Sequence, residues 1–250
     1  MRNKIQSLLF LSLLLACQDD MSNLSSTGPT GQGGSMTRFA IQGNIMYLID
    51  ATTLRVFDIH DSQFSEVNAV EVGSGMETIF AKGEYLYMGA MDAMYIYRIT
   101  DPIIPEFVFR YAHLVSCDPV VVQGNRAYVT LRTGNVCNLG SNALEILDIS
   151  DPYNPLLLKT YPLNSPHGLA VDGSRLFICD GDHGMKYYDI SNELDIRLAG
   201  TRADFFAYDV IARSGLATVT GEDGIFQFRY SGDNDHLKLI SKIPVKRAEP

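Results

Sequence analysis

Tryptophan is absent from this sequence, so its aromatic side chains are thirteen tyrosines and twelve phenylalanines. Basic residues are in short supply, with 20 Lys and Arg against 29 Asp and Glu. That deficit excludes nucleic acid as the expected partner, because a phosphate backbone calls for a basic surface. It also excludes charge-driven adhesion to anionic lipid. There is no Gly-x-Ser-x-Gly elbow, no phosphate loop and no dinucleotide fingerprint, so none of the chemistries those motifs serve is signalled. The apolar run at residues 5–15 contains one Gln and two Ser and is too short to cross a bilayer, which takes roughly 20 residues. Beyond it no segment keeps a 3.6-residue apolar period, and no helix is expected there.

That short run has a purpose of its own. Arg2 and Lys4 precede it, and Leu14-Leu15-Ala16-Cys17 closes it. A positive start, a brief apolar stretch and a small residue before the cut describe a secretory signal over residues 1–16. The closing four residues resemble the bacterial lipobox. The resemblance implies that Cys17 is lipidated and becomes the first residue of the mature protein. Gln18-Asp19-Asp20 resembles a short acidic signal that sends lipoproteins to the outer face of the outer membrane. The expected location is therefore the bacterial outer membrane, lipid-anchored and surface-exposed. The mature chain keeps 18 basic against 29 acidic side chains, so contact with the membrane would come only through the lipid on Cys17. Residues 17–36 are mostly Ser, Thr, Gly, Pro and Asn, which read as a flexible linker that buries nothing.

From residue 37 the sequence repeats itself five times. Gly43, Gly83, Gly124 and Gly173 recur at intervals of 40, 41 and 49 residues, and Ser214 takes the fifth place after 41 more. In the third copy Val120-Val121-Val122 is an apolar run, Gly124-Asn125 a hairpin turn, and residues 126–131 a second strand. Residues 131–142 are an insertion, followed by Leu144-Glu145-Ile146-Leu147-Asp148-Ile149, a turn through Asp151-Pro152, and a fourth strand from Leu156. First strands such as Leu169-Ala170-Val171 have no polar face and should be covered on both sides. A four-stranded unit every ~40 residues is the pattern of a β-propeller blade. The expected fold is all-β: one propeller domain over residues 37–250, of about five four-stranded antiparallel blades. In a ring of five each blade packs against two neighbours, and closure covers the first and last.

Asp148-Ile149-Ser150-Asp151-Pro152 with Asn154-Pro155 resembles the LVIVD-repeat family. Phe57-Asp58-Ile59-His60-Asp61 and Tyr188-Asp189-Ile190-Ser191 match in part, while Tyr97-Arg98-Ile99-Thr100-Asp101-Pro102 lacks the first Asp and Phe228-Arg229-Tyr230 lacks it too. The resemblance implies a propeller in secreted or surface proteins, many of them lipoproteins. It supplies no common enzyme activity and no catalytic motif.

Candidate chemistry lies where the copies differ. The residue six positions before each repeat glycine should open a first strand at the channel mouth. Those residues are Thr37, Glu77, Asp118, His167 and Tyr208, with Asp209 beside the last. Glu77, Asp118, His167 and Tyr208 form the candidate ligand-binding ring. Glu77, Asp118 and His167 also make a weak candidate metal set, two carboxylates and an imidazole being a permissible site for a divalent cation. The same polarity would follow from strand ends meeting water. Asp180-Gly181-Asp182-His183-Gly184 is acidic, but a turn accounts for it. Cys117 and Cys137 bracket the start of the insertion, and a disulfide between them would pin it. Cys179 sits in an apolar strand as a buried free thiol. No cofactor is called for. The expected function is a binding or scaffolding module for an envelope protein or surface glycan. The alternative is an exported glycan-directed hydrolase using the mouth carboxylates.

Overall fold

A computed structural model describes residues 33–50, 52–61, 64–112, 119–133, 141–230 and 237–245. The expected signal segment, Cys17, Cys117, Asp118 and Cys137 lie outside the described residues. Blade one comprises β1 (Phe39–Gln42), β2 (Ile45–Asp50), β3 (Thr53–Asp58) and β4 (Ser65–Glu71). Blade two comprises β5 (Met76–Lys82), β6 (Tyr85–Ala90), β7 (Ala93–Arg98) and β8 (Glu106–Ala112). Blade three has β9 (Val120–Gln123), β10 (Arg126–Leu131), β11 (Ala143–Asp148) and β12 (Leu156–Pro162). Blade four has β13 (Leu169–Asp172), β14 (Arg175–Cys179), β15 (Met185–Asp189) and β16 (Arg197–Arg202). Blade five has β17 (Ala207–Arg213), β18 (Leu216–Gly221), β19 (Gly224–Arg229) and β20 (Lys238–Pro244). Each blade is an antiparallel meander in sequence order, and the five form a β-propeller.

The repeated residues are turn makers. Gly124 has φ 56° between β9 and β10, in the left-handed region where a side chain is strained. Ser214 occupies the equivalent place in blade five at φ 52°, the sole non-glycine among the described residues with positive φ. The Asp of each Asp-Ile pair closes an Asx turn after the third strand. Its Oδ1 accepts the N–H two residues on: His60 to Asp58 at 2.8 Å, Ser150 to Asp148 at 2.9 Å, Ser191 to Asp189 at 2.9 Å. A second Asx turn follows, with Ile103 donating to Asp101, Tyr153 to Asp151 and Leu194 to Asn192. In every blade the register slips between the third and fourth strands, as at Ile146/Leu147 and Tyr187/Tyr188. Such a bulge strengthens the twist that splays the outer strand from the ring.

Adjacent blades are sewn together by apolar cores. Tyr47, Leu54 and Val56 of blade one pack with Ile79, Leu86 and Met88 of blade two. Comparable clusters join blades two to three, three to four, and four to five. None of these clusters joins blade five to blade one. Leu86 and Met88 on β6 are 0% exposed, yet their counterparts Met46 and Leu48 on β2 are half-buried, and Leu216 on β18 is 36% exposed. The expectation that closure would cover both end blades is thus met only in part. The first strands β9 and β13 are buried throughout their apolar residues, as expected. All five first strands line a central cavity of about 490 Å³.

Among the described residues, a strap at residues 33–37 ties blade five to blade one, with Ser35 and Met36 bonded to Asp209. Residues 33–36 read in sequence as the end of the linker, but Ser35 is only 1% exposed. Packed structure is therefore already present at residues 33–36, ahead of residue 37 where the repeat suggests that it starts.

Candidate functional site

The strap is shaped by its own hydrogen bonds and held by Asp209. Thr37 donates its N–H and its hydroxyl to the Gly34 carbonyl, at 3.2 and 2.8 Å, making a tight turn. The Ser35 hydroxyl accepts the Leu169 N–H at 2.7 Å and donates to Asp209 Oδ1 at 3.1 Å. The Ile79 N–H donates to the Thr37 carbonyl at 3.0 Å. The strap thus touches blades two, four and five before it enters β1. A Cβ on Gly34 would stand 2.1 Å from Asp209 Oδ2, and one on Gly168 1.9 Å from Oδ1, so the carboxylate is wedged between two glycines. Burial holds the Asp209 carboxyl above its usual range, against the pull of the Val210 N–H, the Ser35 hydroxyl and the Met36 N–H.

The strap lies between two spaces. Gly33 and Thr37 line the central cavity. Met36 and Arg38 line a second cavity of about 290 Å³ at the mouth, with Glu77, Thr78, Pro119, Arg132 and His167. Arg38 is exposed and has no side-chain partner among the described residues. Arg132 stands just past β10, and its Nη1 lies 3.0 Å from His167 Nε2. His167 Nδ1 lies 2.7 Å from the Ser165 carbonyl oxygen. A carbonyl can only accept and a guanidinium only donate, so the imidazole is neutral with its proton on Nδ1. Burial, and then Arg132, hold His167 below the usual histidine range, while the Ser165 carbonyl, Asp180 and Asp182 pull the other way.

A fully buried carboxylate sets this geometry from below. Asp180 accepts the N–H of Ser165 at 2.7 Å and both the backbone and side-chain N–H groups of Asn164, and pairs with Lys186. It fixes the segment before β13 and thereby the Ser165 carbonyl that orients His167. The Asp180-to-Gly184 stretch is a turn, with His183 N–H to the Asp180 carbonyl at 3.0 Å, as its sequence suggested. An aromatic cluster flanks the imidazole. Phe206 and Tyr208 meet it edge-on, with centroids 5.5 and 6.2 Å from His167, and lie 4.6 Å from each other.

Residues 116–162, the third blade with its insertion, match the LVIVD repeat. The match likens this one blade, about a fifth of the chain, to that repeat. The Asx turns of Asp58 and Asp189 repeat that of Asp148 in blades one and four. Among solved structures, a functionally unknown protein from Desulfotomaculum acetoxidans superposes with TM-score 0.71 at 10% identity, over 83% of this chain and 69% of that one. A putative 6-phosphogluconolactonase from Bacteroides fragilis gives 0.67 at 13%, over 83% and 69%. BamB from Moraxella catarrhalis gives 0.56 at 15%, over 84% and 61%. At these identities the likeness is one of fold, the β-propeller. No curated protein matches the chain.

The expected ring is partly assembled at the mouth. Glu77 and His167 share the mouth cavity, and Tyr208 stands beside His167. Asp118 lies outside the described residues, though its neighbour Pro119 lines the cavity. The Thr37 hydroxyl is turned back on the strap, and Asp209 faces the strap rather than the open mouth. Among the described residues no three His, Cys, Asp or Glu side chains converge as a metal site. The weak Glu77, Asp118 and His167 metal set also needs His167 Nε2, which Arg132 occupies. Cys179 is fully buried, and burial raises its thiol well above the usual range, leaving it inert. Arg38, Arg132 and Phe206 were not singled out from the sequence, and Asp180 was read only as part of a turn. A comparison of second-strand ends would have found Arg132, because the other copies carry no arginine there.

Proposed function

We propose that this propeller is a lipid-anchored binding module of the bacterial outer envelope, whose mouth face receives a protein or a glycan. The observation that carries the reading is the mouth cavity. It offers two guanidinium groups, a carboxylate, a hydroxyl and a flanking aromatic pair, which is recognition chemistry. Its histidine has both nitrogens engaged and is no free general base. The lipobox-like Cys17 and the linker support tethering at the envelope, the mature excess of acid side chains speaks against nucleic acid, and no cofactor is invoked.

The test uses the full-length lipidated protein, recovered from its own envelope with whatever it holds. Wild type is expected to retain a protein or polysaccharide that a Glu77→Gln, Arg38→Gln double variant loses. Retention of nothing, together with hydrolysis of a polysaccharide panel by the wild type, would replace this reading with the hydrolase. The anchor has its own check. Metabolic labelling with a fatty acid should mark the wild type and leave Cys17→Ser unlabelled.

A further inference from the structure

We infer that the mouth cavity is a subsite for a carboxylate-bearing sugar, a hexuronic acid unit of an acidic polysaccharide. The inference rests on the binding-module reading and names the ligand class. Several observations converge on it. The chain as a whole carries a net charge of −9, yet Arg38 and Arg132 both line one small cavity. Arg38 has no ion pair or side-chain hydrogen bond among the described residues, so its fork of donors is open to a ligand carboxylate. Arg132 is aimed by its bond to the neutral His167.

Glu77 in the same cavity narrows the ligand. A phosphate monoester would bring nearly two negative charges against that carboxylate, where a uronate brings one. A sugar acid instead presents one carboxylate for the arginines and hydroxyl groups that a carboxylate and the Thr78 side chain can bond. The aromatic flank suits the rest of a pyranose. Phe206 and Tyr208 lie beside His167 at the rim, with Tyr208 40% exposed, and an exposed aromatic face can cover the apolar C–H side of a sugar ring. Size agrees. A space of about 290 Å³ is at the lower limit of small-molecule pockets, roughly 300–1,000 Å³, and accommodates a single sugar unit rather than a folded segment.

The experiment is a calorimetric titration of the full-length protein in detergent with short oligosaccharides of galacturonate, glucuronate and mannuronate. Each is paired with its carboxyl-reduced, neutral counterpart. At least one uronate is expected to bind, and its neutral partner to bind about tenfold more weakly, the scale of one charged hydrogen-bonded contact. Arg38→Gln, at an exposed position that spares the fold, should weaken the uronate by about tenfold and leave the neutral sugar unchanged. Tyr208→Ala should weaken both alike. Absence of binding by all three uronates, equal binding of acid and neutral forms, or indifference to Arg38→Gln would each overturn the inference. If the envelope recovery still retains a mouth-dependent partner, the uronate claim alone falls. If that recovery fails as well, the binding-module reading falls with it.

Discussion

Asp189 shows how much a single residue of the repeat does. The Ser191 hydroxyl and N–H donate to it, Arg197 pairs with it, and together they hold its carboxyl down to about 2. A carboxylate depressed in the folded state adds stability that is fully present above its unfolded value, 3.8, and lost as pH falls toward the folded one. Asp189→Ala should therefore lower the melting temperature at neutral pH, and the gap from wild type should close between about pH 4 and pH 2. Thermal melts across that range check it. Ser214 gives the opposite case. It accepts a left-handed backbone that its four glycine counterparts take freely, so Ser214→Gly should stabilise the protein by about 0.5 kcal/mol, seen as a higher urea midpoint. These residues were legible in the sequence because their identities answer local demands, a positive φ or an Asx turn. Arg38 and Arg132 were not, because what places them together is the meeting of blades one and three at the mouth, and no local pattern encodes that.

Between neighbouring elements the repeat carries a clasp as well as a core. The Gln123 amide donates to the Gly173 carbonyl at 2.8 Å and accepts the Gly173 N–H at 2.9 Å, linking the β9–β10 turn to the next blade's turn. Gln42 makes the donating half of the same contact with Gly83. Asp172 takes the role toward blade five, where it accepts from Tyr230 and, at 3.5 Å, from the Gly215 N–H. Gln123→Ala should cost about 1 kcal/mol, the net worth of exposed hydrogen bonds, without altering the far-ultraviolet circular dichroism. The strands and their order could be read in advance from glycine spacing and apolar runs. The clasps could not, since a Gln before a turn glycine looks like any solvated side chain until the next blade is in place.

For the whole molecule, the fifth junction is the point where sequence and structure part. Among the described residues four junctions are packed cores, and the fifth is bridged by the strap through Ser35, Asp209 and Leu169. Gly and Ser composition made residues 33–36 look like tether. Their burial follows from Gly34 and Gly168 leaving room for the Asp209 carboxylate, a three-way contact spread over 175 residues of chain. Ser35→Ala leaves the Leu169 N–H without its buried acceptor and should cost about 1–3 kcal/mol. Because it loosens the end blades most, limited proteolysis should cut the variant first in blade one or five. Met36 of the strap also lines the mouth cavity, so the contact that holds the strap shapes the candidate site.

The most direct measurement of the central claim, that the mouth is the binding face, is photo-cross-linking in living cells. A photoreactive residue at Met36 lines the mouth, and one at Asn44 marks the hairpin turn at the other end of β1. The account expects an adduct to a protein or polysaccharide from Met36, absent from Asn44 and lost on Arg38→Gln. Adducts from Asn44 alone, or equally from both positions, would contradict it.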